Sequence, residues 1–430
     1  MQITLPVQDS LKFNTPTRIS RPQHNLSRRN ISQAALKVLY QLHKAGYQAF
    51  LVGGGVRDVL LERTPKDFDV VTNALPEQVK SLFRNCRLIG RRFVLAHVRL
   101  HQEIVEVATF RAHHDKGGGG VMEDGRIVRD NVYGTIDEDA WRRDFTINAL
   151  YYDISDFSLL DYANGLEDLQ AGVIRLIGNP KLRYQEDPVR MLRAVRFAAK
   201  LDFTIAPQTA EPIANLGKLL ANIPPARLFE EVLKLFLGGH AIQSFAQLRH
   251  YELFKQLFPY TDACLDDPIS LELTQQVLQN TDERKADNKP IAPAFLFAAL
   301  LWTPLIHLVP DKPSKGVNLQ EKLLEAAQQI VVNQQQHVAI PRRITVLMQE
   351  IWLLQIRLTR QRKNKKRSLS IIEHPRFRAG YDFLLLRAHA GEEQVVSDAE
   401  WWTNFIKDEK LLTQHSVAKA KKWVRRRRKA

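Results

Sequence analysis

The sequence predicts an α+β protein, with strands and helices in its first part and helices alone in its second part. Two patterns support this prediction. From Tyr47 to about Tyr152, short apolar runs typical of strands alternate with segments of helical periodicity. From about Pro188 onward, apolar residues recur with the spacing of amphipathic helices. A chain of 430 residues can hold two or three domains.

The elements of the first part are predicted in chain order. Residues 1–30 are polar and contain prolines, and we expect a flexible arm there. A first helix is expected from Ser32 to Ala45, because its apolar residues share one face and Gly46 follows it. The remaining expected strands are Ala49–Val52, Phe68–Val71, Val94–Leu100, Ile104–Phe110 and Leu150–Tyr152, and the expected helices are Val56–Leu61 and Pro76–Phe83.

An insertion is expected within the first part of the chain, and helices are expected throughout the second part. The span from Arg111 to Asp130 is glycine-rich and polar, and we expect a mobile insertion there. Its neighbours His113 and His114 have no evident third metal ligand. The helices expected in the second part are Val189–Leu201, Pro225–Phe236, Ile242–Leu248, Phe295–Leu301, Ile344–Arg360 and Phe383–His389.

The composition indicates a polyanionic partner. There are 62 Lys and Arg residues against 47 Asp and Glu, a net charge of +15, so RNA or DNA is the first choice and a membrane surface the second. The end of the chain, residues 416–430, is a cationic run that we expect to bind RNA, although such runs can serve solubility alone.

Two cysteines, Cys86 and Cys264, lie far apart without metal-ligand spacing, which disfavours a disulfide scaffold or a zinc site. No apolar run is long enough to form an integral membrane segment, and the first residues show no signal core. We therefore expect a cytoplasmic protein.

The segment LVGGGVRDVLLERTPKDFDVV, from Leu51 to Val71, predicts a site for a polyphosphate and a metal. Gly53 and Gly54 belong to a glycine turn after an apolar strand, where the backbone can approach a ligand closely. Arg57, on the helix that follows, suits a phosphate. Asp67 and Asp69 alternate along the next strand, so their carboxylates face one side and can hold Mg²⁺.

Three other acidic or basic groups are candidates for the same site. Glu106 lies in a strand among apolar residues, and it is either a third metal ligand or one partner of a salt bridge, for example with Arg111. In WRRDFTINAL, Arg143 can neutralise phosphates together with its neighbour Arg142, and Asp144 can either bind a sugar hydroxyl or cap the following segment.

The segment YQEDPVRMLRAVRF predicts a site that recognises a base. Asp187 stands just before a helix that carries Arg190 and Arg193 one turn apart. A carboxylate that accepts from an exocyclic amine, beside an arginine that donates to a ring nitrogen, suits both adenine and cytosine. The alternative is an ordinary acidic helix start with surface arginines.

These motifs, in this order, resemble those of the class II nucleotidyltransferases of the DNA polymerase β superfamily, which comprise bacterial poly(A) polymerases and CCA-adding tRNA nucleotidyltransferases. The resemblance covers roughly residues 32–236 and includes GLEDLQAGVIRLIG, from Gly165 to Gly178. NCRLIGRRFVLAHV, HPRFRAGYDFLLLRA and the arginine-rich tail resemble the poly(A) polymerase branch.

The resemblance implies an enzyme that transfers AMP from ATP to RNA 3′ ends without a template. It implies that Asp67 and Asp69 hold two Mg²⁺ ions and that Asp144 counts with the catalytic carboxylates. It also implies a flexible arm (1–30), a nucleotidyltransferase head of mixed or antiparallel sheet and helices (31–155), an all-α neck (156–240) and body (241–415), and a basic tail (416–430). The implied nucleotide ligands are Gly53, Gly54, Arg57, Arg143, Asp187, Arg190 and Arg193.

Two alternatives remain open from the sequence. A CCA-adding tRNA nucleotidyltransferase would carry the same catalytic motifs, and nothing in them decides between ATP and CTP. A non-catalytic RNA-binding protein with a degenerate head is the alternative from another class, and the intact Asp67, Asp69, Gly53 and Arg57 disfavour it.

Overall fold

The computed structural model describes residues 15–90, 93–112, 121–123, 126–129, 132–309, 318–360 and 365–408, with only the backbone for 121–123 and 126–129. The described chain forms two compact units. The first contains the residues up to Arg190 together with Leu201–Pro212, and the second contains Met191–Lys200 and the residues from Ile213 onward. The expected limits of head, neck and body stay a prediction, but the all-α character expected for 156–240 is wrong, because that span contains the strands Leu159–Asp161, Val173–Ile174 and Thr204–Ile205.

An eight-stranded mixed sheet forms the centre of the first unit. All neighbouring strands in it are antiparallel except β3 and β6, which are parallel. The strands are β1 Thr17–Ile19, β2 Ala49–Val52, β3 Asp69–Thr72, β4 Cys86–Ile89, β5 Leu95–Leu100, β6 Glu103–Thr109, β7 Val121–Glu123, β8 Arg126–Arg129, β9 Leu150–Asp153, β10 Leu159–Asp161, β11 Val173–Ile174 and β12 Thr204–Ile205. The sheet has the order β1-β10-β9-β2-β3-β6-β5-β4, while β7–β8 and β11–β12 are separate pairs.

The first three helices of the first unit contact this sheet. In the first of them the side chain of Ser32 accepts the N–H of Ala35 as an N-cap, and Val38, Leu39 and Leu42 are buried. The helices are α1 Gln33–Lys44, α2 Gly54–Leu60, α3 Pro76–Leu82, α4 Ile136–Arg142, α5 Gly165–Ala171, α6 Pro180–Glu186, α7 Val189–Leu201 and α8 Pro207–Leu216, of which α7 and α8 continue into the second unit.

Aromatic residues fill the core on one face of the sheet. Tyr151 packs edge-on against Tyr162 with ring centroids 5.6 Å apart and against Phe50 at 6.3 Å. Val52, Val71 and Phe110 complete this cluster. Because Tyr151 is fully buried at the centre of the sheet, its hydroxyl needs a polar partner, and it has one in the site described below.

The second unit is helical, as the sequence predicts. Two buried tryptophans anchor it: Trp352 Nε1 donates to the carbonyl of Ala298 at 2.8 Å and Trp402 Nε1 to that of Leu358 at 2.8 Å. Its helices are α9 Pro225–Phe236, α10 Ala241–His250, α11 Phe254–Leu257, α12 Pro259–Asp262, α13 Pro268–Ala286, α14 Pro293–Leu300, α15 Trp302–His307, α16 Leu319–Gln335, α17 Arg342–Arg360, α18 Lys365–Ile372 and α19 Phe377–His389, followed by a helix at 393–408.

The predicted α+β class is confirmed, and the predicted strands and helices are found with shifts at their ends. The prediction of a flexible arm is wrong for residues 15–30, the part of that segment that the structure describes. Thr17–Ile19 pairs with Leu159–Asp161 at the sheet edge, and Leu26 is fully buried, because the apolar edge of β10 requires a partner. Elements that the sequence did not predict include the strands β4 and β10, the pair β7–β8 within the expected insertion, and the helices α4, α13 and α16.

Other expectations fall outside the described residues. These are His113 and His114 and the basic tail at 416–430, so RNA binding by the tail stays a prediction. Among the helices that the structure describes, none combines the length and the apolar character needed to cross a bilayer.

Candidate active site

The carboxylates predicted to bind metal lie at the N-terminal end of β3, but Asp67 is not in the strand as predicted and stands two residues before its first residue. Asp69 is its first residue, and the register places it beside Val52 on β2 and beside Glu106 on the parallel strand β6. Residues in register on neighbouring strands project to the same face. Burial, followed by the charges of Asp67 and Glu106, raises the pKa of Asp69 to about 6, although Arg143 acts in the opposite direction. The three carboxylates therefore repel one another at a partly buried place.

Glu106 is also paired with a histidine. His97, its register partner on β5, places Nε2 at 3.3 Å from Glu106 Oε1. A basic partner of Glu106 is thus observed, His97 in place of Arg111, and the pair is a salt bridge when the imidazole is protonated. Across the part of the chain that the structure describes, no three His, Cys, Asp or Glu side chains converge on one point as ready ligands. A metal-binding role for Glu106 stays a prediction.

The residues present nevertheless fit a hard cation. The raised pKa of Asp69 arises because its burial and the adjacent carboxylates outweigh the nearby positive charge. Carboxylate oxygens are the ligands that Mg²⁺ prefers, and a divalent ion would remove this repulsion. The donor set at Asp67 and Asp69 is therefore chemically suited to Mg²⁺.

The glycine turn approaches two sides of the site closely. Gly53 has φ of 72°, a conformation that favours glycine, and a Cβ added there would lie 3.7 Å from Nη1 of Arg143. A Cβ at Gly55 would lie 3.0 Å from Phe68 Cδ1 and 3.3 Å from the carbonyl oxygen of Asp67. The turn between β2 and α2 thus lies against both the predicted metal-binding segment and Arg143.

Arg57 is bound by protein groups. Its side chain is buried; Nη2 donates to Asp58 Oδ1 at 2.6 Å, and Nη1 donates to Asn148 Oδ1 at 2.7 Å. These bonds tie helix α2 to the segment after Asp144. A direct contact of Arg57 with a phosphate stays a prediction.

Arg143 is held in a closed triangle with two residues that the sequence did not single out. Its Nη2 donates to Asp139 Oδ2 at 2.9 Å and its Nε to the hydroxyl of Tyr151 at 2.8 Å. The Tyr151 hydroxyl donates to the same Asp139 oxygen at 2.8 Å. Burial acts to raise the pKa of Asp139, but the charges of Arg143 and Arg111 outweigh it, so the pKa lies below its usual value. The triangle fixes the guanidinium with Nη1 toward Gly53.

The prediction that Asp144 caps the following segment is wrong, because the short 3₁₀ helix Thr146–Asn148 has Phe145 as its N-cap and no side-chain cap bond. Its Oδ1 accepts the backbone N–H of Phe145 at 2.9 Å and the side-chain amide of Asn148 at 3.3 Å. Asn148 therefore bridges Arg57 and Asp144. Binding of a sugar hydroxyl by Asp144 stays a prediction.

The predicted base-recognition residues lie at the junction of α6 and α7. Oδ1 of Asp187 accepts the N–H of Val189 at 3.3 Å, which orders the start of α7. Arg190 Nη1 donates to Glu186 Oε2 at 2.8 Å. Arg193 belongs to the second unit, where its Cζ lies 5.4 Å from the ring centroid of Phe197.

Three residues of the site were not predicted from the sequence: Asp139, Asn148 and Tyr151. A signal existed for Asp139 alone: it precedes Arg143 by one helical turn, and such pairs interact across a helix surface. The positions of Asn148 and Tyr151 depend on how β9 and α2 meet, which no local pattern encodes.

Comparisons with protein families and known proteins give consistent matches. Residues 49–175 match the model of the poly A polymerase head domain, residues 202–265 a probable RNA and SrmB-binding site of polymerase A, and residues 315–430 the polymerase A arginine-rich C-terminus. Poly(A) polymerase I of Salmonella typhimurium is 51% identical over 90% of this chain and 85% of its own length. Poly(A) polymerase I of Haemophilus influenzae is 44% identical over 96% and 94%.

CCA-adding enzymes are also similar, over a shorter span. That of Bacillus subtilis is 40% identical over 51% of this chain and 54% of its own length. The solved structure of the Bacillus stearothermophilus CCA-adding enzyme in complex with CTP is 25% identical, with a TM-score of 0.58 over 87% of this chain and 82% of that one. A tRNA nucleotidyltransferase with a primer tRNA and an ATP analogue shares the fold, with a TM-score of 0.60, 22% identity and coverage of 87% and 99%.

Proposed function

Since the chain belongs to the poly(A) polymerase I family, it is a template-independent polynucleotide adenylyltransferase, and we propose how its residues carry out that reaction. The enzyme transfers AMP from ATP to RNA 3′ ends and releases pyrophosphate. The observation that supports the proposed site most strongly is the group of carboxylates around Asp69, whose repulsion a divalent cation would relieve.

Asp67 and Asp69 would hold two Mg²⁺ ions, with Glu106 beside them as a further oxygen donor. Bound there, the ions would activate the RNA 3′-hydroxyl and offset the charge of the leaving pyrophosphate. The protein's own part is to fix both carboxylates at the start of β3. The register with β2 and β6 sets the position of Asp69, which is mostly buried away from bulk water.

The triphosphate would lie along the glycine turn. At Gly53, whose φ is 72°, no side chain stands between the backbone and Arg143 Nη1, the donor that points toward it. Because Asp139 and Tyr151 hold the other donors of Arg143, this arginine loses little freedom when it binds a phosphate. Arg57 would act mainly by holding Asn148, and through it Asp144, in place for the ribose.

The base would be read by Asp187 and Arg190, with Arg193 one turn further along α7. This pairing accepts adenine and cytosine alike, so it does not select ATP. The selection of ATP is supported by how much of the chain aligns with each relative. Poly(A) polymerase I of Salmonella typhimurium aligns over 90% of this chain, whereas the CCA-adding enzyme of Bacillus subtilis aligns over 51%.

RNA is expected to lie along the helical second part. Residues 202–265 match a probable RNA-binding site, and residues 315–430 an arginine-rich C-terminus. The proposed head, neck, body and tail limits are 31–155, 156–240, 241–415 and 416–430. We also propose a cytoplasmic location, because Cys86 and Cys264 are both unpaired.

The test is an extension assay on a generic RNA primer with ATP and CTP supplied separately. Long A tails on any 3′ end, with pyrophosphate released in step, are expected. Extension only on tRNA, ending in CCA, would instead establish the alternative. No pyrophosphate release with either nucleotide would contradict the proposed function itself.

A further inference from the structure

We propose that Arg183 is a positioning residue that joins the base-reading segment to the triphosphate-binding segment of the active site. The inference rests on the proposed roles of Arg143 and Arg190. Arg183 lies in helix α6, ahead of Asp187, and all of its contacts described here lie within the first unit.

One end of the Arg183 guanidinium holds the segment that carries Arg143. Nη2 donates to the carbonyl oxygen of Arg142 at 2.8 Å and to that of Arg143 at 2.7 Å. These carbonyls lie at the C-terminal end of α4, where carbonyl groups lack partners within the helix and a cation is favoured. Arg183 thereby fixes the backbone from which the Arg143 side chain reaches Gly53.

The other end reaches the base-reading arginine through Glu186. Arg183 Nη1 donates to Glu186 Oε2 at 2.9 Å, and the same oxygen accepts from Arg190 Nη1 at 2.8 Å. Arg190 Nη1 also donates to the backbone carbonyl of Arg183 at 2.6 Å. One side chain therefore connects the main chain at Arg143 with the guanidinium of Arg190.

This arrangement has energetic costs that a purely structural brace would avoid. The Arg183 side chain is only 12% exposed, and within the described residues its Nε is buried without a hydrogen-bond partner. A buried donor without a partner is unfavourable, because it has lost its hydrogen bond to water. Burial and the neighbouring charge of Arg190 also lower the pKa of Arg183. The contacts suit a residue whose main effect is on the position of two ligand-binding arginines.

The test compares Arg183→Met with Lys181→Met, an exposed position on the same helix. Two readouts separate the two segments. The ratio of kcat/KM for ATP to that for ITP measures base reading, because hypoxanthine reverses the donor and the acceptor at that edge. The inhibition constant of inorganic tripolyphosphate, competing with ATP, measures the triphosphate side alone.

Arg183→Met is expected to lower the ATP-to-ITP ratio about tenfold and to raise the tripolyphosphate inhibition constant about tenfold, since each segment loses a charge-assisted bond. Lys181→Met is expected to change neither. If either readout stays at the wild-type value, or if both nucleotides lose kcat/KM equally, Arg183 is a brace and the inference is overturned.

Arg183→Lys keeps the positive charge but cannot span two carbonyls and a carboxylate with one planar group. If the methionine variant fails to fold, Arg183→Lys is measured with the same two readouts. We expect a smaller change in both of them. Wild-type values in Arg183→Lys would again overturn the inference. Absence of ATP-dependent extension by the wild-type enzyme would contradict the proposed function. Normal extension by the wild type, with both readouts unchanged in the Arg183 variants, would contradict this inference alone.

Discussion

Replacing Asp69 with asparagine is expected to stabilise the metal-free protein near pH 7.5 while it abolishes AMP transfer. Burial first, and then Asp67 and Glu106, raise the pKa of Asp69 from 3.8 to about 6. A difference of roughly two units corresponds to about 3 kcal/mol, at about 1.4 kcal/mol per unit. The ionised carboxylate costs the folded state this amount when no cation is bound.

The sign of the pH dependence follows from the direction of the shift. Because the folded-state pKa is above the unfolded-state value, the folded protein retains the proton to a higher pH. The stability that this proton provides is fully present below about pH 4, is lost as the pH rises toward about 6, and is absent above that. The Asp69→Asn variant carries no such titration, so its advantage over the wild type should shrink as the pH is lowered.

Native-state hydrogen exchange in EDTA, with increasing urea, measures this for Val70 and Val71, two buried amides of β3. At pH 7.5 we expect an opening free energy about 3 kcal/mol higher in Asp69→Asn than in the wild type. Saturating Mg²⁺ should reduce or reverse the difference, because only the wild type gains a ligand.

The control is Glu62→Gln, which removes one carboxylate from an exposed position of the same unit and should change stability by less than about 0.5 kcal/mol. Equal opening free energies of wild type and Asp69→Asn in EDTA at pH 7.5 would refute the reasoning, because the carboxylates would then not repel one another appreciably.

Three further expectations concern the nucleotide and the RNA. Tyr151→Phe removes a hydroxyl bonded to Asp139 and Arg143, and KM for ATP should rise about tenfold in a steady-state titration; an unchanged KM would show that Arg143 needs no such support. Gly53→Ala should raise KM for ATP, because its Cβ would stand 3.7 Å from Arg143 Nη1, in the space where the triphosphate is proposed to bind. Gly46→Ala also places a side chain at a positive φ, but in open space, so it should lower the melting temperature alone; equal KM values for the two variants would contradict this. Affinity for an oligo(A) primer should fall at least roughly tenfold between about 50 and 200 mM salt, and a flat dependence in a binding titration would exclude phosphate contacts as the main RNA interaction.

Local patterns predicted the parts of the site that are local in the chain. Asp67, Asp69 and the glycine turn lie within one short segment, so their closeness along the chain brings them to one site, although only Asp69 belongs to the strand. The same holds for α7, whose bounds were predicted from its helical period and are confirmed.

The parts of the fold and of the site that were not predicted depend on pairing between segments that are distant in the sequence. The parallel register of β3 with β6 brings Glu106 beside Asp69, and the bonds of Arg183 to the end of α4 cross a long stretch of chain. The edge strand Thr17–Ile19 is too short and polar to be recognised, because its reason for being a strand is the free edge of β10. Propensity and periodicity contain none of this information.

The most direct test of the central claim is pyrophosphate release and primer extension by Asp67→Ala and Asp69→Ala, measured with ATP and Mg²⁺ beside RNA binding. If this pair holds the metal ions, either substitution abolishes AMP transfer while affinity for an oligo(A) primer stays near the wild-type value. Substantial AMP transfer by either variant would contradict the assignment of this pair as the metal-binding centre.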